Sequence, residues 1–257
     1  MTAAGRPLLE VTGLTKTFGG IRAVDRFSFG VTEGSITGII GPNGAGKTTI
    51  FNCITGLYPA DGGAIHFDGR EITSLKPYEI ARRGAVRTFQ VVRPLKEMTV
   101  FDNVMVGAFL KTGDRRTAAA RAEECLRICN LEPFRDRPAG GLPIGGKKRL
   151  EMARALATQP KLLMLDEVMA GMTSTEIKTS VEVILRLRES GITLMIVEHV
   201  MEGIMPIADK VVVLDGGIKI AEDAPGNIVN DGRVIEAYLG AKYSQRFKAR
   251  KEGGDLG

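Results

Sequence analysis

The chain has 257 residues, 44% of them hydrophobic and 25% charged, and a formal net charge of +5. This is the balance of a globular chain with a sizeable core, enough for one large domain or a core domain with an insertion. No apolar run approaches the roughly 18 residues of a membrane span, the start lacks the parts of a secretory signal, and with no tryptophan and 5% aromatic residues the positive charge has no base-stacking partners, so no nucleic acid is expected as a ligand.

In chain order, residues 8–14 and 24–31 read as strands, the second by the alternation that puts Phe27 and Phe29 on one face. A buried strand over 35–40 leads into Gly41-Pro42-Asn43-Gly44-Ala45-Gly46-Lys47-Thr48, with Thr49 beside it. This segment fits G-x-x-x-x-G-K-[ST], the phosphate-binding loop. A triphosphate needs many donors close to its oxygens, and glycines let successive N–H groups turn inward with no Cβ in the way. Lys47 adds positive charge for the β- and γ-phosphates and Thr48 a hydroxyl for Mg²⁺. The helix expected over 47–54 brings its N-terminal dipole to the same anion.

A short strand over 64–67 closes at the Asp68-Gly69 turn. Pro77 opens a helix that ends near Gly84, and 85–89 is a further strand with Gln90 just beyond it. From 96 to about 158 helical patterns dominate. The clearest helices are 118–128 and 147–157, separated by a loop with Pro133, Pro138, Gly140 and Gly141. Cys125 and Cys129 are one helical turn apart with no third ligand near them; with Cys53 they are expected as buried thiols, and they make no disulfide framework.

Strand–helix alternation resumes at Lys161. Residues 162–165 are an apolar run ending in Asp166 and Glu167, where ligands bind at the carboxyl ends of parallel strands. Asp166 is expected on Mg²⁺, and Glu167 where it polarises an attacking water. Ile177, Val181, Ile184 and Leu185 form a helical stripe. The apolar strand 192–197 is followed by Glu198 and His199, and 211–214 is another buried strand. Of the two histidines, His66 and His199, only His199 ends a core strand, within reach of a γ-phosphate or a catalytic water. The organisation is a parallel α/β core interrupted by a helical insertion.

Together, Phe18, the phosphate loop, Gln90, Leu142-Pro143-Ile144-Gly145-Gly146 before a helix, Leu165-Asp166-Glu167 and His199 resemble the nucleotide-binding subunit of an ATP-binding cassette (ABC) transporter, from about residue 8 to 240. The resemblance implies an α/β fold: a P-loop NTPase core of the RecA-like type with an antiparallel β subdomain and an inserted helical subdomain. The core would cover about 8–90 and 160–240, the insertion about 91–159, and a basic tail 241–257. It implies ATP and Mg²⁺ as cofactors. Phe18 would stack on adenine, and Thr48, Gln90 and Asp166 would serve the metal. Glu167 would be the general base and His199 the switch histidine. Pro143, Gly145 and Gly146 would cap the γ-phosphate held by an opposite subunit, which Ala170-Gly171-Met172-Thr173 also meets. The implied partners are a second, like or unlike, ATPase subunit, transmembrane permease subunits and, through them, a periplasmic solute-binding protein. The implied location is peripheral, on the cytoplasmic face of the inner membrane.

Gly19-Gly20-Ile21, Arg87-Thr88-Phe89-Gln90, Arg93-Pro94-Leu95, Met98-Thr99-Val100 and the ending Val234 to Gly240 are similar to ATPases of branched-chain amino acid importers. ATPases that extract lipopolysaccharide share several of these segments and stay open as an alternative. A cytosolic ABC protein of ribosomes or DNA is disfavoured by the single phosphate loop and the lack of sustained heptads. Pro143 stands where the family carries a serine and supplies neither hydroxyl nor N–H; one lost hydrogen bond to a charged group costs about 1.5–3 kcal/mol. Val168 replaces the usual proline after Asp-Glu. Met98, Met105 and Phe109 are expected in the core, or, where exposed, in a groove for a cytoplasmic permease helix. Lys242, Arg246, Lys248, Arg250 and Lys251 make a solvated tail, with contact to anionic headgroups as the sharper alternative.

Overall fold

The computed structural model describes residues 6–239; Gly240 and the basic tail lie outside the described residues. In chain order the elements are β1 (Pro7–Phe18), β2 (Ile21–Thr32), β3 (Ile36–Ile40), α1 (Lys47–Ile54), β4 (Gly62–Phe67), β5 (Arg70–Glu71), α2 (Pro77–Arg83), β6 (Ala85–Arg87), α3 (Val100–Ala108), α4 (Arg115–Ile128), α5 (Ile144–Ala157), β7 (Leu162–Asp166), α6 (Ser174–Glu189), β8 (Thr193–Val197), α7 (Met201–Ile204), β9 (Lys210–Asp215), β10 (Ile218–Asp223), α8 (Pro225–Ile228) and α9 (Gly232–Leu239).

These strands form two sheets. The larger has the order β10-β9-β3-β8-β7-β6 and is parallel from β9 to β6, with β10 antiparallel at one edge. The smaller, β2-β1-β4-β5, is antiparallel. The mixed α/β fold with a phosphate loop after a central parallel strand is the one expected. β3, β7 and β8 are buried along their whole length, which is why they read as continuous apolar runs. Alternate side chains serve two cores. Ile39, Met164, Met195 and Val197 pack with α1 and the antiparallel sheet. Ile36, Leu163, Leu165 and Ile196 pack with residues of α3, α5 and α6.

The register places the site. Val197 is level with Ile39 on one side and with Asp166 on the other. The chain therefore leaves β3, β7 and β8 at one edge of the sheet, carrying the phosphate loop, Glu167 and His199 with it.

Several boundaries differ from the sequence expectation. β1 and β2 are longer than expected, because bulges at Gly13 and Arg26, both at positive φ, let the ladder continue past breaks in the pattern. The strand expected over 85–89 stops at Arg87, since the Phe89 N–H donates to Glu151 Oε1 at 2.8 Å instead of to a strand neighbour. The helix expected from residue 147 begins at Ile144, so Gly145 and Gly146 lie in its first turn. Met105 is buried as expected of a core residue, but Met98 and Phe109 are not; 37% and 45% of their surface stays exposed. Cys53, Cys125 and Cys129 are buried free thiols, and burial pushes Cys125 up to about 12.

Between β6 and β7, α3 and α5 approach backbone to backbone. A Cβ at Gly107 would lie 2.2 Å from the Arg154 carbonyl oxygen, and this atom cannot swing away as a side chain would. Gly107→Ala is expected to destabilise the chain by about 1–3 kcal/mol, as overpacking does. A lowered denaturant midpoint with unchanged m-value checks this; an unchanged midpoint contradicts it.

Candidate nucleotide site

The phosphate loop closes over the end of β3 because its glycines take conformations barred to other residues. Gly41, Gly44 and Gly46 have φ of 155, 81 and 106°. A Cβ at Gly41 would meet the Leu214 carbonyl at 2.2 Å and one at Gly46 the Ala23 carbonyl at 2.6 Å, whereas Gly44 faces open space. Gly46 caps α1, whose first backbone bond runs from the Ile50 N–H to the Gly46 carbonyl. The amides of Lys47, Thr48 and Thr49 are thus left free for an anion.

Lys47 lies under the loop and donates to the carbonyls of Gly41 at 2.7 Å and Pro42 at 2.9 Å. Burial draws its pKa below the ordinary lysine value, while the Glu167 and Asp166 carboxylates pull it back up. Asn43, Gly44, Ala45, Gly46, Lys47, Thr48, Thr49 and Glu167, with Ala23, line a cleft of about 190 Å³.

Across the cleft, Glu167 is flanked on both sides. Its Oε2 accepts from Gln90 Nε2 at 2.5 Å, and its Oε1 lies 3.7 Å from His199 Nδ1. Asp166 is 1% exposed; its Oδ2 pairs with Arg87 at 2.6 Å, while its Oδ1 is buried without a hydrogen-bond partner. Burial raises the Asp166 pKa and Arg87 opposes that shift. Glu167 itself has φ of +49°, a left-handed conformation that costs a non-glycine residue about 1–3 kcal/mol and persists only where the surroundings enforce it.

An anion cradle with a buried lysine, and carboxylates at the neighbouring strand ends, form a site for a phosphate ester and a water to attack it. The comparisons with known proteins agree. The ABC transporter family profile matches residues 24–170. The chain is 43% identical to the high-affinity branched-chain amino acid transport ATP-binding protein BraF of Pseudomonas aeruginosa, over 91% of this chain and 98% of that protein.

The chain belongs to the ABC transporter family.

It is 42% identical to the high-affinity branched-chain amino acid transport ATP-binding protein LivG of Salmonella typhimurium, over the same shares of both chains. A solved ATP-binding cassette of an ABC transporter in its ADP conformation superposes with a TM-score of 0.82 at 34% identity, over 91% of this chain and 99% of that one. The chain is therefore a nucleotide-binding ATPase cassette of an ABC transporter.

Within this ABC cassette the expected site residues fall into two groups. The loop residues Gly41 to Thr49, Gln90, Asp166, Glu167 and His199 converge at one edge of the sheet. Phe18, Pro143, Gly145 and Gly146 do not line the phosphate cleft. Phe18 is exposed and packs edge-on against Tyr58, with ring centroids 5.2 Å apart. Pro143 is the N-cap of α5 and makes no side-chain cap bond; its carbonyl accepts from the Lys147 N–H at 2.9 Å. Glu176 lies over the same helix end, 2.7 Å from where a Gly145 Cβ would stand.

Three charged residues to which the sequence analysis assigns no catalytic or binding role stand beside Asp166 and Glu167 in this ABC cassette. Arg87 reaches from β6 to Asp166 and to Asn52 of α1, and its guanidinium lies 4.7 Å from the Phe89 ring centroid. Lys148 and Glu198 are buried beside the Glu167 turn. For Arg87 and Glu198 the available signal was a charge in or at the end of an apolar run, since such residues stay buried only when paired; Lys148, between Lys147 and Arg149, carries no such signal.

Proposed function

We propose that the chain is the ATP-hydrolysing subunit of an importer for branched-chain amino acids, working on the cytoplasmic face of the plasma membrane beneath separate permease subunits. The placement of Glu167 between Gln90 and His199, facing the phosphate loop, carries the hydrolytic part. The names of the relatives at 42–43% identity supply the solute class. No helix among the described residues is long and apolar enough to cross a membrane, so a permease partner provides the path.

In this reading Lys47 and the amides of the loop and of the first turn of α1 hold the β- and γ-phosphates. Glu167 takes a proton from the attacking water, and Gln90 and His199 keep its carboxylate turned toward the cleft. The residues also fit Mg²⁺. Asp166 Oδ1 is a buried carboxylate oxygen without a partner, Thr48 offers an exposed hydroxyl in the cleft, and Gln90 stands at the same edge. Asp166, Thr48 and Gln90 would hold the ion, which when bound neutralises charge on the phosphate oxygens. Phe18 would stack on adenine. Pro143, Gly145 and Gly146, away from their own cleft, would serve a nucleotide held by a second ATPase subunit. Residues 8–240 would act as one cassette, with 91–159 its helical arm.

The permease contact is proposed at a second cavity of about 710 Å³, where Phe89, Val91 and Val106 present apolar surface beside Arg93, Arg154 and Gln90. It joins the Gln90 segment to α3 and α5, so an apolar permease helix seated there would reach the site through Gln90. The test is transport. The chain, its second ATPase, the permeases and the solute-binding protein in vesicles should take up labelled leucine only with ATP. Phe89→Asp together with Val106→Asp should abolish uptake and permease capture while ATP binding persists. ATP-driven uptake of another solute, but not of leucine, isoleucine or valine, overturns the solute assignment.

A further inference from the structure

The turn that carries Glu167 is held by two buried side chains of opposite charge. The Glu167 N–H donates to the Val197 carbonyl at 2.9 Å, and the Ala170 N–H returns to the Glu167 carbonyl at 3.3 Å. Lys148 Nζ, one helical turn inside α5, donates to both the Glu167 carbonyl at 2.8 Å and the Ala170 carbonyl at 2.7 Å. From the other side Glu198 Oε1 accepts from the Met169 N–H at 2.7 Å, and its Oε2 from the His199 N–H at 3.3 Å. Lys148 is 6% exposed and Glu198 fully buried. Val168 and Met169 bury their side chains within the same turn.

We infer that Lys148, with Glu198 as its counterpart, is a positioning residue for ATP hydrolysis: it holds the Glu167 turn in the left-handed conformation that aims the Glu167 carboxylate at the phosphate cleft. The physical argument is one of over-determination. A non-glycine residue at φ of +49° relaxes unless its neighbours are fixed. Here the carbonyl of that residue is fixed by a lysine ammonium, and the N–H two residues on by a carboxylate. Charge-assisted hydrogen bonds are about twice as strong as neutral ones, and burial removes water as a competitor. The Lys148 ammonium and the Glu198 carboxylate are both spent on backbone groups of the turn, so they act on the Glu167 turn and not on nucleotide. A shift of about 1 Å in a reacting group costs on the order of a hundred-fold in rate; untying the turn acts on that quantity and leaves the phosphate cradle alone. Lys148 also rides on α5, whose first turn holds Gly145 and Gly146, so a displacement of that helix end is passed to the Glu167 carbonyl.

The inference rests on Glu167 being the general base, and the experiment separates the two. In the assembled ATPase, Lys148→Met, which keeps length and removes the donor, is expected to lower kcat about ten- to a hundred-fold. KM for ATP and the Kd for MgADP should stay within about two-fold. Lys148→Gln retains an N–H donor near the turn and should fall between wild type and Met; Lys148→Leu, which also removes the donor, is read in place of Met should the Met variant not fold. A kcat within two-fold of wild type in the variant that folds overturns the inference. So does a loss in which KM and Kd worsen in step with kcat, as a loosened site would give. Glu167→Gln is measured beside them. If it retains full turnover, the base assignment fails and the positioning role with it. If it loses turnover while Lys148→Met does not, the positioning role alone fails.

Discussion

Replacing Glu167 with Gln is expected to slow steady-state ATP turnover about a hundred- to ten-thousand-fold, the usual worth of a positioned general base, while ATP binding is kept. The geometry separates the two effects. Glu167 contacts Gln90 and His199 and makes no bond to the phosphate loop, so the amide leaves the cradle intact. It also removes one negative charge facing the bound triphosphate, which favours binding or leaves it unchanged. The Glu167 carboxylate helps keep the buried Lys47 protonated, but Asp166 acts in the same direction and remains. Phosphate release and calorimetric ATP affinity check the pair of outcomes; full turnover in the variant removes Glu167 as the base. The same variant, unable to discharge its nucleotide, reports on the end of α5. A stable MgATP-dependent dimer by light scattering shows that an α5 capped by Pro143, with no side-chain donor, closes on the nucleotide of an identical copy. A monomer that still binds ATP shows that an unlike ATPase is required, and Pro143 then weakens only the site holding the partner's nucleotide.

What the sequence makes legible follows from burial on both sides of a sheet. β3, β7 and β8 stand out because each of their residues is buried, and each ends in a chemical signal: the phosphate loop, Asp166-Glu167 and His199. β10 is missed for the opposite reason. It is an antiparallel edge strand whose residues are mostly half-buried or exposed, so Ile218 to Asp223 shows no clear alternation. The start of α5 is misplaced because two glycines in its first turn lower helix propensity; what allows them is Glu176 packed over Gly145, a contact between segments far apart in sequence. Thr99-x-x-Asp102 and Thr173-x-x-Glu176 do carry cap signals, and both open helices in the structure. Arg87, Lys148 and Glu198 are the harder lesson. Charged residues belong to the surface by default, and the partners of Lys148 are backbone carbonyls, which have no spelling in a sequence. The roles expected of Phe18 and Pro143 come from family resemblance alone, and neither residue lines the phosphate cleft.

Replacing Lys47 with Ala is expected to weaken ATP binding about ten- to a hundred-fold, the cost of one charge-assisted hydrogen bond to phosphate, and to reduce turnover further, since charge on the transferring group grows toward the transition state. The competing explanation is collapse of the loop, because Lys47 Nζ holds the Gly41 and Pro42 carbonyls at 2.7 and 2.9 Å. Three observations limit that effect. The loop is also shaped by backbone contacts at Gly41 and Gly46 that do not involve the lysine. Alanine is the best helix former, and position 47 is the first residue of α1. Burial already penalises the charged lysine in the folded chain, so its removal relieves a desolvation cost that offsets the two lost bonds. The unfolding midpoint should therefore move little while affinity falls, and calorimetric titration beside a urea transition separates the two. Affinity within two-fold of wild type would mean that the free amides at the start of α1 hold the triphosphate without the lysine. An affinity loss accompanied by a large fall in midpoint would assign Lys47 to the fold of the loop and leave the phosphate charge to be met by the helix end.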